Sequence, residues 1–257
     1  TAYSADEIGI MDIVIIMVKA TQTEAAMRTA APCIGPETVV VTLQNGLGND
    51  ENIKKFIPDD RVIFGCGNMG TELPEPGVCV AKPAKGNNMF FGPSVKSALN
   101  DAAGTYLEKC FAAGGLEPKY YDDVRPYIWR KATSNSGFNT VCAILRLKIG
   151  EVYDDSNGVA LVWDIWKEAS DVAEAMGIPG IWEYMQKEMQ NVVTNLGDYY
   201  PSMAQDMLMH QRQTEVTALT GAISDYGKKH GVATPTCDVL TRVVKAQEAN
   251  YAKQFVK

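Results

Sequence analysis

Asp12-Ile13-Val14-Ile15-Ile16-Met17-Val18 is an almost uninterrupted apolar run. Runs of this kind suit strands whose two faces are both covered, as in parallel sheets flanked by helices. Just beyond it, Thr21 with Glu24 three residues later reads as a capping box that opens a helix through about Ala31. Residues 38–43 read as a second buried strand, which completes a β-α-β unit. A helix near residues 50–56 and a strand at 61–65 repeat the cycle. That alternation predicts a parallel, doubly wound sheet whose ligand crevice opens at the carboxyl ends of its strands.

Farther along, residues 77–81 and 88–92 flank Lys82-Pro83-Ala84-Lys85-Gly86-Asn87, a pattern that predicts a hairpin. Residues 95–113 read as a helix ended by Gly114-Gly115, and 117–121 as a short strand. From Asp123 the period changes to long helical segments, broken at Gly150, Asn157, Gly177-Ile178-Pro179-Gly180, Gly197 and Gly231. The expectation is therefore a Rossmann-like α/β domain over residues 1–122 and an all-α domain over 123–257. The change of period sets the boundary, because no Ser/Gly/Pro-rich linker is present.

The whole sequence has 257 residues, a net charge of -7 and a pI near 5.0. With no lysine/arginine cluster long enough to track phosphates, nucleic acid is not an expected partner, and a small molecule is. No apolar run reaches the roughly 18 residues that cross a bilayer, so no membrane partner is expected either. The start lacks the order of a signal peptide, and a cytoplasmic protein is expected. Six scattered cysteines with no C-x-x-C pair, and only His210 and His230, predict buried reduced thiols and neither disulfides nor a metal site.

Gly65-Cys66-Gly67-Asn68-Met69-Gly70 matches G-x-G-x-x-G after a strand. The next residues, Thr71-Glu72-Leu73-Pro74-Glu75-Pro76-Gly77, cannot open the helix whose amides would meet a pyrophosphate. The match reads as a turn-rich loop, which leaves the Rossmann-like domain incomplete, and a true fingerprint is expected in a segment ahead of Thr1. Two other loops belong at the crevice: Lys19 after the first strand, and Gln44-Asn45-Gly46-Leu47-Gly48 after the second, where glycine backbone can approach a ligand closely.

The helical half opens with a polar stripe. Lys131, Asn135 and Asn139 are spaced i, i+4, i+8, while Thr133, Ser134, Ser136 and Gly137 between them are poor helix formers. Farther on, Pro201-Ser202-Met203-Ala204-Gln205-Asp206 reads as a helix start, and Thr214-Glu215 as the early part of another helix. Trp163 and Trp166 are expected to face the core, the alternative being a homodimer interface.

Taken in order, these motifs resemble the 2-dehydropantoate 2-reductase (ketopantoate reductase) family through nearly the whole chain. The carriers are Ile16 to Gln22, Leu43 to Gly48, Trp129 to Lys131 with Asn135 and Asn139, Pro201 to Asp206, and Thr214-Glu215. The resemblance implies a Rossmann domain and a helical domain similar to the C-terminal domain of 6-phosphogluconate dehydrogenase, with the active site between them. It implies NADPH-dependent reduction of 2-dehydropantoate to (R)-pantoate in pantothenate and coenzyme A synthesis. It further implies Lys131 as general acid with Glu215 as its partner, Asn135, Asn139 and Ser202 as substrate ligands, and Lys19, Gln22 and Asn45 as cofactor contacts, with no metal. Three departures accompany it: the glycine-rich loop is missing, the stretch from Asp206 to Glu215 is one residue longer than the family pattern, and Tyr199 stands where a polar ligand is usual. They keep two alternatives in view, a reductase of another 2-oxo acid and a non-catalytic binding or assembly module.

Overall fold

The apolar run at residues 38–43 becomes a strand because both of its faces are covered, whereas the run at 12–18, expected to be covered in the same way, buries only Ile16 among its strand residues. The computed structural model of the chain describes residues 3–83, 86 and 88–254. These fall into two compact units, Thr1–Tyr127 and Ile128–Lys257. In the first, β1 (Met11–Ile16), β2 (Ile34–Thr42), β3 (Val62–Gly67), β6 (Met89–Pro93) and β7 (Pro118–Tyr120) form one sheet in that order, and β4 (Met69–Glu75) and β5 (Val78–Pro83) form another. Val39 and Val41 of β2 pack with Ile63, Phe91, Ala103 and Leu107 on one face. Val40 packs with Ile16, Met27, Ile53 and Val62 on the other. One face is thus closed by α3 (Ala98–Ala113), the other by α1 (Thr23–Ala30) and α2 (Asn49–Lys54), and neither side of β2 can carry the polar alternation of a half-exposed strand.

Three details depart from the sequence-based expectation. The sheet is mixed: β1, β2 and β3 are parallel, but β6 is antiparallel to β3, with β7 parallel to β6. A parallel neighbour needs a long crossover, usually helical, and here β4 and β5 occupy the chain between β3 and β6 instead. The expected hairpin is displaced, since β5 pairs with β4 and not with β6. Gly77, at φ 84°, makes that turn, while residues 84, 85 and 87 of the expected turn lie outside the described residues. Finally, Thr21 is no cap. It sits in a 3-10 turn, Ala20–Gln22, and α1 begins at Thr23 without a side-chain cap.

The second unit contains only helices among its described residues. α4 (Arg125–Leu145) begins three residues before it and continues into it, and after it come α5 (Ile149–Asp154), α6 (Ser156–Ala175), α7 (Ile181–Leu196), α8 (Ser202–Leu208), α9 (Thr220–His230) and α10 (Pro235–Glu248). Trp166 is fully buried and packs edge-on to Phe138 at 5.7 Å and to Trp163 at 5.3 Å, with Trp163 in turn against Trp182. Gly137 makes room for this. A Cβ there would lie 2.4 Å from the Trp166 indole nitrogen, which is one reason helix propensity yields to packing in this stretch.

β1 lies at the end of the sheet order, so among the described residues it pairs on one side only. Its Met11 and Ile15, and Met17 just beyond, are exposed at 38%, 42% and 59%. No helix of the described residues is long and apolar enough to cross a membrane.

Candidate active site

In the first unit, a buried amide ties the two candidate loops together. Gln44 donates through Nε2 to the Val18 carbonyl at 2.5 Å and to Thr23 Oγ1 at 3.0 Å, and its Oε1 accepts from Thr42 Oγ1 at 2.8 Å. The end of the β1 loop and the start of the β2 loop are therefore fixed to one side chain. Between Val18 and Thr23 the chain turns through Ala20–Gln22, where the Gln22 N–H donates to the Lys19 carbonyl at 2.8 Å. This turn leaves Gln22 exposed and Lys19 half-exposed.

Asn45 is exposed as well, but it is held at both ends. Its carbonyl accepts from Asn49 Nδ2 at 3.0 Å, and its Oδ1 accepts from the Cys66 thiol at 3.2 Å. With one lone pair of Oδ1 taken by Cys66, the carboxamide can offer its two N–H donors and the second lone pair. Gly46 and Gly48 take φ 90° and 80°, a backbone conformation that glycine adopts without strain. Donors of this kind, a cation and amides on glycine backbone at the carboxyl ends of parallel strands, suit the phosphates and hydroxyls of a dinucleotide. The G-x-G-x-x-G match lies on β3 and β4, paired strands in place of the expected turn-rich loop, and it opens no helix, so it contributes no phosphate cradle.

In the second unit, α4 runs unbroken through the polar stripe. Lys131 and Asn135 are half-buried, and Asn139 is buried. The opposite arc carries Thr133, Ser136, Gly137 and Thr140, all buried against the unit's interior. The stripe reaches a second element: Asn139 Nδ2 donates to Ser202 Oγ at 3.4 Å, across 63 residues of sequence. Ser202 is the exposed first residue of α8. Glu215 departs from expectation. It precedes a 3-10 turn, Val216–Ala218, and not an α-helix, because α9 starts only at Thr220. Its carbonyl accepts from the Ala218 N–H at 2.9 Å.

Two residues of this arrangement carry no signal in the sequence. Cys66 passes as one more apolar residue of a strand, and Gln44 as a neighbour of the more conspicuous Asn45-Gly46. Cysteine usage also differs from expectation. Cys33, Cys66, Cys142 and Cys237 are buried, whereas Cys79 and Cys110 are exposed. Cys79 sits on the two-stranded sheet and Cys110 on the outer face of α3.

A Rossmann-type α/β unit with laced loops at its strand ends, joined in sequence to a helical unit with a lysine and amide stripe, is the architecture of an oxidoreductase. The chain belongs to the ketopantoate reductase family. The family model "Ketopantoate reductase PanE/ApbA" matches residues 1–94, and its C-terminal counterpart matches 123–248. The 2-dehydropantoate 2-reductase of Streptococcus pyogenes serotype M3 (strain ATCC BAA-595 / MGAS315) is 31% identical over 239 residues, 93% of this chain and 76% of that protein. The Aquifex aeolicus (strain VF5) enzyme of the same name is 30% identical over 243 residues, covering 93% and 77%. Among solved structures, D-mandelate dehydrogenase with NADH and anilino(oxo)acetate superposes with a TM-score of 0.84 at 30% identity, over 95% of this chain and 78% of that one. The 2-dehydropantoate 2-reductase of Geobacter metallireducens GS-15 gives 0.85 at 25%, over 95% and 79%.

Proposed function

We propose that the chain reduces 2-dehydropantoate to (R)-pantoate with NADPH, in the cytoplasm and as a step toward pantothenate and coenzyme A. The observation that carries this reading is the stripe of Lys131, Asn135 and Asn139 on α4, joined through Asn139 to Ser202. Lys19, Gln22 and Asn45 are assigned to the cofactor. Reduced nicotinamide, when bound, supplies a hydride to the 2-oxo carbon. The carbonyl π electrons then reside on oxygen, and the Lys131 ammonium stabilises that developing alkoxide and delivers its proton to it. Asn135, Asn139 and Ser202 are neutral donors that can hold the carboxylate and hydroxyl of a short polar acid while leaving Lys131 to meet the carbonyl oxygen. Glu215 holds the ammonium in place. The scheme uses no metal.

A second reading, a reductase of an aromatic 2-oxo acid using NADH, is favoured by the 30% identity to D-mandelate dehydrogenase and by Tyr199, which is 45% exposed just ahead of Ser202. One experiment separates the two. NADPH and NADH oxidation is monitored with 2-dehydropantoate and with 2-oxo-2-phenylacetate, for the native protein and for Lys131→Ala. Turnover strongest with NADPH and 2-dehydropantoate, reduced roughly 100-fold or more in Lys131→Ala, is the expected result. Preference for the aromatic acid moves the assignment to the second reading, and near-native turnover in Lys131→Ala removes the lysine from its role.

A further inference from the structure

Glu215 is reached through residues 209–213, five consecutive exposed residues with no buried side chain to fix their path. Polar ties fix it instead. Arg212 folds back on α8: its Nε and Nη2 both donate to Asp206 Oδ1 at 2.6 Å, and its own N–H donates to the Asp206 carbonyl at 3.1 Å. The Asp206 side chain is 3% exposed and the Arg212 side chain 56%. A buried carboxylate without a cation is strongly disfavoured, so the guanidinium is drawn inward, and the loop goes with it. Gln211, at φ 48°, takes the left-handed turn that this return requires.

The far side of the loop is anchored as well. The Tyr251 hydroxyl donates to the Arg212 carbonyl at 2.9 Å, and Glu248 Oε1 accepts from the Thr214 N–H at 2.7 Å. Burial, then the Glu248 and Asp206 carboxylates, push the Tyr251 hydroxyl up to about 12, so it remains a donor at neutral pH. Thr214 Oγ1 accepts from the Val216 N–H at 3.2 Å. From these ties we infer that Arg212 is a positioning residue for Glu215, setting the backbone from which the glutamate projects by clamping its loop to Asp206. The inference rests on the assignment of Glu215 as the partner of Lys131. The clamp closes the loop at its fourth residue past α8 and so gives it a defined path.

The test is a double-mutant cycle on the native protein with Arg212→Ala, Glu215→Gln and both together, read as kcat and KM for NADPH and 2-dehydropantoate. Arg212→Lys is made alongside, keeping a cation for Asp206 but not the forked geometry. Arg212→Ala should lower kcat roughly 10- to 100-fold, the scale of a misplaced group, with KM for NADPH unchanged and Arg212→Lys in between. Because Arg212 acts through Glu215, the double variant should be no slower than Glu215→Gln alone. Deuterium uptake over residues 209–218 should rise in Arg212→Ala, a readout independent of turnover. Multiplicative losses in the cycle, wild-type kcat in both Arg212 variants, or unchanged deuterium uptake would overturn the inference and leave Glu215 standing. Wild-type kcat in Glu215→Gln would overturn the glutamate assignment and the inference with it. If Arg212→Ala does not fold, Arg212→Lys takes its place in the same cycle.

Discussion

Gly65 shows how little freedom a residue between two packed strands has. A Cβ placed there would lie 2.3 Å from the Phe90 carbonyl oxygen and 2.4 Å from Phe91 Cβ, mostly backbone that cannot swing away. Gly65→Ala should therefore destabilise the first unit by about 3 kcal/mol or more, the upper end of overpacking costs, as read by urea denaturation. In the sequence this glycine looks like the first of a nucleotide fingerprint; in the structure its role is the antiparallel approach of β6. The same limit applies to the candidate site. Lys131, Asn135 and Asn139 are legible because a helix repeats its face every 3.6 residues. Cys66, Gln44 and Arg212 are not, because their roles depend on partners 21, 26 and 6 residues away across turns whose path no local pattern states.

Among the elements, α10 is held by a carboxylate from another helix. Glu168 of α6 accepts the Thr236 N–H at 2.7 Å on one oxygen and the Cys237 N–H at 2.8 Å on the other. These are first-turn amides with no partner inside α10, and the charge also faces the positive end of the helix dipole. Glu168→Ala should cost about 2 kcal/mol of stability, read from the shift of a chemical-denaturation midpoint, with Glu168→Gln recovering part of it. Elements whose identity rests on burial, β2, β3, α3 and α4, are readable from composition alone, and β1 is readable from its apolar run although only Ile16 of it is buried. β4 is not, since it contains Gly70 and Pro74, and β5 is legible as a strand but not its partner, because among the described residues the two pair only with each other. Nothing in a stretch like β4 separates strand from loop until its partner is known. Glu215 reads as helical for a related reason: an acidic residue before an apolar run has the look of a first-turn acid, and a 3-10 turn leaves the same trace.

At the scale of the whole molecule, the six thiols form two classes. Cys79 and Cys110 face solvent; the other four do not. Burial pushes the Cys142 thiol up to about 12, and Cys237 is raised further by burial and by the nearby Glu168. Because the thiolate is the reacting form, a disulfide reagent at pH 8 should titrate two thiols quickly in the folded protein and six after denaturation. Rapid reaction of three or more would show that a buried cysteine is within reach.

Among the described residues β1 pairs on one side only, and this bears on how any such number is obtained. Unfolding is a one-body event, whereas pairing of two free strand edges is a two-body event whose rate grows with the square of concentration. Wherever the sheet ends at β1, as it does among the described residues, with Met11, Ile15 and Met17 exposed, the two processes are coupled. Denaturation midpoints measured on this chain will carry a concentration axis, and variants are comparable only along a shared point on it.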